Sequence, residues 1–213
     1  MSRPGRVTRY DARERFMHAA SAATYVYLLL TGLAFWTPGL YWLAIVLGGG
    51  YVSRVMHPWV GLAFSAAVAV MYVTWRRDMT TAPEDIAWRK AMPHYMRNED
   101  TQVPPAGRFN YGQKNLFWLM VGGALLLLLS GLVLWFVDAV PRELVVVRQV
   151  AVLAHAVAAL MTIAGFIVHL YMGLFVVPGG LQAILHGEVS REWAEHHHPL
   201  WAAKVSDRDI PRD

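Results

Sequence analysis

Cysteine is absent from the 213-residue chain. No disulfide, thiolate metal site, iron–sulfur ligation or covalent CxxCH haem attachment can be built from it, so any redox chemistry must rest on histidine, aromatic side chains or a bound cofactor. Charge is the second scarcity. Only 19 Lys or Arg and 15 Asp or Glu occur, and four windows hold none of them: 16–53, 55–75, 115–137 and 149–187. Each window reaches the length of about 20 residues that crosses about 30 Å of hydrocarbon. A soluble globular domain needs charged faces on its helices. That class is therefore excluded, as are a disordered chain and a nucleic-acid-binding module, despite a pI near 9.5.

What is present reads as an all-α integral membrane protein: a single membrane domain over residues 1–213, built as a four-transmembrane-helix bundle. The expected helices run over about 16–36, 55–75, 116–137 and 150–177. The stretch Leu40–Leu47 is too short to cross and is read as interfacial, where Tyr41 and Trp42 suit the headgroup region. Pro178-Gly179-Gly180 stops the last helix. The first window is longer than a secretory signal and no small-x-small cleavage site follows, so the first span is expected to be retained.

Lysine and arginine set the orientation. Sixteen lie in the N-terminal 15 residues, the 76–114 loop and the tail after 178; three, Arg54, Arg142 and Arg148, lie in the other two connections. The positive-inside rule then puts both termini and the 76–114 loop in the cytoplasm, and accounts for the basic pI. The expected location is a bacterial inner (cytoplasmic) membrane, crossed several times.

Five of the nine histidines fall inside the charge-free windows, and four of them lie within the expected helices: His18, His57, His155 and His169. An imidazole within a span is costly and marks either a function or a dedicated partner. The topology gives each a depth. His57 and His155 open the second and fourth helices at the periplasmic face. His18 lies near the cytoplasmic start of the first, and His169, fourteen residues past His155, is about 21 Å deeper. Fourteen residues at about 100° each fall about 40° short of four turns, so His155 and His169 face nearly one way. Two depth-matched pairs, His57 with His155 and His18 with His169, are what two stacked bis-histidine b haems require. A proton or ion relay would call for buried Asp, Glu or Lys, and the windows hold none.

Weaker features accompany these. Gly32, Gly61 and Gly173 sit at helical spacing from His18, His57 and His169 and leave room for a flat macrocycle, or simply for close helix packing. Arg15, Arg54 and Arg148 at span ends suit haem propionates, or ordinary interfacial charge. His94 and His186 read as solvated. His196-His197-His198 could bind a metal adventitiously, meet a partner or lipid headgroups, or serve the fold.

Motifs outside the spans carry a resemblance. Arg13–His18, Arg54–His57–Pro58, the loop Arg108-Phe109-Asn110-Tyr111-Gly112-Gln113-Lys114 and the tail Trp193-Ala194 with His197-His198-Pro199-Leu200-Trp201 are polar and irregular, and no transmembrane pattern demands them. Over nearly its whole length the sequence resembles the gamma (cytochrome b556) subunits of respiratory membrane-bound formate dehydrogenases. The resemblance implies two haem b groups, a quinone (menaquinone or ubiquinone) as substrate, an iron–sulfur beta subunit and a molybdenum or tungsten catalytic alpha subunit as partners, membrane lipids around it, and no nucleic acid. A higher oligomer of the complex stays open. It implies that His57 and His155 hold the periplasmic haem and His18 and His169 the cytoplasmic one, with Asn110, Gly112, Gln113 and His169 forming the quinone pocket. The chain would reduce quinone and carry electrons but not oxidise formate, and would hold no catalytic residue.

Independently of it, Asn110 and Gln113 directly precede the third span on the cytoplasmic side, where amide groups can orient a quinone carbonyl. The same residues also suit a helix-start turn. Other readings are the cytochrome b subunit of a respiratory hydrogenase or related molybdoenzyme, a haem-free membrane anchor, and a transporter with a histidine relay.

Overall fold

The computed structural model describes residues 5–97 and 99–206. Arg3, Arg208 and Arg212, counted above for orientation, lie outside them. In chain order the elements are β1 (Arg6–Thr8), α1 (Ala12–Trp36), α2 (Trp42–Val46), α3 (Gly50–Trp75), α4 (Pro83–Met96), α5 (Tyr111–Trp135), α6 (Val145–Tyr171), α7 (Gly180–His186), β2 (Glu188–Ser190), α8 (Arg191–His197) and α9 (Pro199–Ser206).

Four helical stretches are long and apolar enough to cross a membrane: Ala12–Trp36, Gly50–Trp75, Tyr111–Trp135 and Arg142–Val176. Their apolar side chains point outward as well as inward, with Leu153 66% and Phe175 77% exposed, an arrangement that lipid tolerates and water does not. The helices begin earlier than the apolar windows because charged first turns belong to them: Arg13, Glu14 and Arg15 ride on α1, and Lys114 on α5. α6 ends in a π-helical turn, Met172–Val176, before Pro178, and Gly179 at φ 80° closes it. The interfacial stretch forms the five-residue α2, and Gly48 and Gly49, at φ 98° and 97°, turn the chain from it into α3, a conformation strained for any residue with a Cβ.

The described residues gather into two compact units. One comprises 16–73 and 119–166, the central parts of the four long helices. Its core is Tyr25, Phe64, Val68 and Ala124 with Phe166 against them; Tyr25 meets Phe64 at 5.6 Å and Phe166 at 5.1 Å between ring centres. A Cβ on Gly123 would overlap Thr162. Small residues that let backbones close are what hold helices together in lipid, where burial of apolar surface gives no net gain. Contacts of α1 with α3, α3 with α6 and α5 with α6 make this unit a four-helix bundle.

The other unit comprises 5–15, 74–118 and 167–206. Sequence reading left most of it as loop, and it is structured instead. Pro83 followed by Glu84 and Asp85 starts α4, a start signal the charge count obscured. β1 and β2 pair antiparallel with Val7 opposite Val189. Ala183, Val189, Ala194 and Ala202 form its small core, flanked by Tyr10, Trp193 and Trp201.

Candidate functional site

Within the helical unit, His57 on α3 and His155 on α6 face each other with ring centres 6.4 Å apart and planes inclined at 55°. Each ring is oriented by a hydroxyl from a third or fourth helix. Thr31 Oγ1, fully buried, donates back to the carbonyls of Tyr27 (2.9 Å) and Leu28 (3.2 Å) of its own helix. Having one hydrogen, it can only accept from His57 Nδ1–H, at 2.7 Å. Ser130 Oγ likewise donates to the Leu126 carbonyl (2.6 Å) and accepts from His155 Nδ1–H at 3.0 Å. Both imidazoles are therefore set as Nδ1–H tautomers, and the lone pair of each lies on Nε2.

This arrangement fits one metal held between two neutral imidazoles. A bond of about 2.0 Å from metal to nitrogen, plus about 1.2 Å from nitrogen to ring centre, counted on both sides, gives about 6.4 Å between centres. A second hydrogen bond at Nδ1 is the usual support for a ligating histidine. Glycine at 131 clears the Cε1 edge of His155, where a Cβ would stand only 3.3 Å away, while a Cβ on Gly32 would sit at an ordinary 3.9 Å from His57 Cε1. Gly32 thus neighbours His57 rather than His18. Gly61 meets only Leu28 at 4.0 Å, and a Cβ on Gly173 would meet nothing within 4 Å. Phe35 packs edge-on against His57 at 5.4 Å. Among the described residues no group of three or more His, Asp or Glu could hold a metal ion.

His18 is half-buried on α1 in the helical unit, and His169 is exposed near the end of α6 in the other unit. Arg15 and Arg148 are engaged with backbone, Arg15 on the Leu185 carbonyl at 2.7 Å and Arg148 on that of Val140; Arg54 is exposed.

Asn110 and Gln113 are brought together in the second unit. Asn110 N–H donates to Gln113 Oε1 and Gln113 N–H donates to Asn110 Oδ1, both at 3.0 Å. This is a reciprocal cap at the start of α5. A Cβ on Gly112 would stand 3.4 Å from Asn110 Oδ1, an ordinary contact distance. The cap uses both amide oxygens, and the two NH2 groups are not part of it. Beside it, Lys114 Nζ meets Asp85 Oδ2 at 2.7 Å, both side chains largely buried, and Asp85 also accepts the Ala82 N–H.

Sequence reading missed Thr31, Ser130 and Gly131. The signal was available: Thr31 and Ser130 each lie five residues before the tryptophan that ends their helix, the depth at which His57 and His155 enter.

The family described as prokaryotic cytochrome b561 matches residues 9–187. The chain is 33% identical over 205 residues to the cytochrome b556(fdo) subunit of formate dehydrogenase from Escherichia coli K12, covering 96% of each chain. It is 28% identical over 216 residues to the cytochrome b556(Fdn) subunit of the nitrate-inducible formate dehydrogenase of that organism, covering 100% of this chain and 98% of the relative. It is 31% identical over 204 residues to the formate dehydrogenase cytochrome b556 subunit of Haemophilus influenzae, covering 94% and 84%. The resemblance drawn from the loop and tail motifs is met by these relatives.

Proposed function

Because the chain belongs to the prokaryotic cytochrome b561 family, we propose that it is the di-haem cytochrome b subunit of a respiratory formate dehydrogenase, a non-catalytic member of that complex that passes electrons across the membrane to quinone. The observation that carries this reading is the facing of His57 and His155, 6.4 Å apart, with both Nδ1 atoms committed to hydroxyls.

Haem b, when bound, supplies a reversible one-electron couple at iron. The chain's own residues supply the rest. His57 and His155 would present Nε2 to one iron, with Thr31 and Ser130 holding their tautomers. His18 and His169 would hold a second haem at the cytoplasmic side, the side that the 16 to 3 division of Lys and Arg assigns to the termini and the 76–114 loop of one membrane domain. The NH2 groups of Asn110 and Gln113, at the turn that includes Gly112, would donate to a quinone carbonyl near His169. Electrons entering from an iron–sulfur subunit on the periplasmic side would then reduce quinone with protons taken from the cytoplasm. A molybdenum or tungsten subunit would oxidise formate outside, so charge is separated without a channel.

A pyridine haemochrome assay with a reduced-minus-oxidised spectrum of the purified chain tests the reading. Two haem b per chain are expected. A preparation of native fold with no Soret band would leave the anchor or the relay transporter standing. Co-purification with a nickel–iron subunit in place of a formate-oxidising one would move the chain to a hydrogenase.

A further inference from the structure

The 106–110 segment is the last part of the connection from α4 to α5 and ends on Asn110. It carries three successive carbonyls, and each is taken by a distant part of the chain. Leu200 N–H donates to Ala106 O at 3.2 Å. His198 Nδ1–H donates to Gly107 O at 2.7 Å. Arg9 Nη2 donates to Arg108 O. The two side chains that do this are among the most deeply buried polar groups present, Arg9 at 2% and His198 at 3% exposure.

They also bind each other. With its proton on Nδ1, His198 offers the Nε2 lone pair to Arg9 Nη2 at 3.3 Å. Arg9 Nε and Nη1 find no hydrogen-bond acceptor; the guanidinium instead lies over Trp201 (4.6 Å), Tyr10 (5.2 Å) and Phe109 (5.3 Å). A buried charge left with so few acceptors is costly to place, and here its one fork spans the loop and the tail. Arg108 completes the clamp from the loop side, donating to Glu14 Oε1 at 2.6 Å and Asp78 Oδ2 at 2.8 Å, while Trp75 Nε1–H donates to the same Glu14 oxygen. Phe109 is buried against Trp75.

The geometry points to Arg9 and His198 as positioning residues for the quinone-orienting turn: together they lock the N-terminal arm and the tail onto the carbonyls of 106–108 and so fix where Asn110 and Gln113 present their amides. The part concerning quinone rests on the proposed function above. The lock also gives the tail histidine a role within the fold that needs neither a metal nor a lipid.

His198→Gln can donate one NH2 hydrogen to Gly107 O and accept from Arg9 at its oxygen; His198→Leu can do neither. In the intact complex, His198→Leu and Arg9→Lys should keep both haems and normal haem reduction by formate, while KM for decylubiquinone and for menadione rises about tenfold, the scale of a small misplacement of binding groups. Amide exchange of residues 110–114 should quicken by at least tenfold in both variants. His198→Gln should restore KM and exchange to near the parental values. Parental exchange at 110–114 in both His198→Leu and Arg9→Lys overturns the lock. Faster exchange with an unchanged KM, while Gln113→Ala raises KM, overturns the link between lock and quinone. Faster exchange with neither variant nor Gln113→Ala affecting KM upholds the lock and overturns the quinone site.

Discussion

His57 and His155 stand with ring centres 6.4 Å apart, each anchored through Nδ1 to a hydroxyl whose own proton is already bound to backbone. Under the proposed function the two rings would hold one haem together, and neither would suffice alone. His155→Ala should therefore remove one haem and leave one per chain by pyridine haemochrome. Retention of two haems would remove His155 from the ligand set.

The hydroxyls should tune the metal as well as hold the rings. An acceptor at Nδ1 makes an imidazole a stronger donor and favours the ferric state. Thr31→Val keeps the shape, removes the acceptor, and leaves a buried N–H unsatisfied at a cost of about 1–3 kcal/mol. The midpoint potential of one haem should rise by tens of millivolts, a tenfold change in the one-electron equilibrium being about 59 mV. Thr31→Ser should stay near the parental value. A redox titration with both potentials unmoved in Thr31→Val sinks the assignment of this hydroxyl.

One substitution can separate the cap at Gln113 from its proposed quinone contact. The oxygen caps α5, and under the proposed function the NH2 group would donate to a quinone. Gln113→Ala loses both, with about 1 kcal/mol of helix stability lost through the cap. Gln113→Glu keeps a capping oxygen and removes the donor. The variant should retain both haems and the melting temperature of the parent while quinol formation slows. Normal quinol formation by Gln113→Glu would place the pocket elsewhere.

The bundle was legible because lipid demands long uncharged windows, and those windows are visible as missing charge. The facing of His57 and His155 was legible because two helices entering from one side put early residues at one depth. Helix starts were misjudged where the first turn is charged, as at Arg13–Arg15 and Lys114, since a helix continues past the hydrocarbon edge while the window does not. The unit holding α4, α7, α8 and α9 was invisible for another reason. Its order comes from pairings such as Arg9 with Arg108 and His198 with Gly107, separated by 99 and 91 residues. No local periodicity reports such contacts, although the irregular polar motifs at 108–114 and 197–201 each hold one member of these pairs.

His198 gives the fold a pH dependence of definite sign. Burial, then the adjacent Arg9 cation, pushes its pKa down to about 3, against Gly107 O pulling up and with His197 also opposing protonation; Trp193 and Trp201 supply the remaining walls. The unfolded chain protonates this imidazole near pH 6.5, so between about 6.5 and 3 it binds a proton that the folded chain refuses. Stability contributed here is whole above pH 6.5 and falls as pH drops, at about 1.4 kcal/mol per unit at most. Acid acts on the rest of the chain as well, so the informative quantity is the difference between parent and His198→Gln. Thermal melts in detergent from pH 7.5 to 5 should show the parent losing stability faster than the variant. Parallel curves would mean that His198 takes up its proton without leaving Arg9 and Gly107.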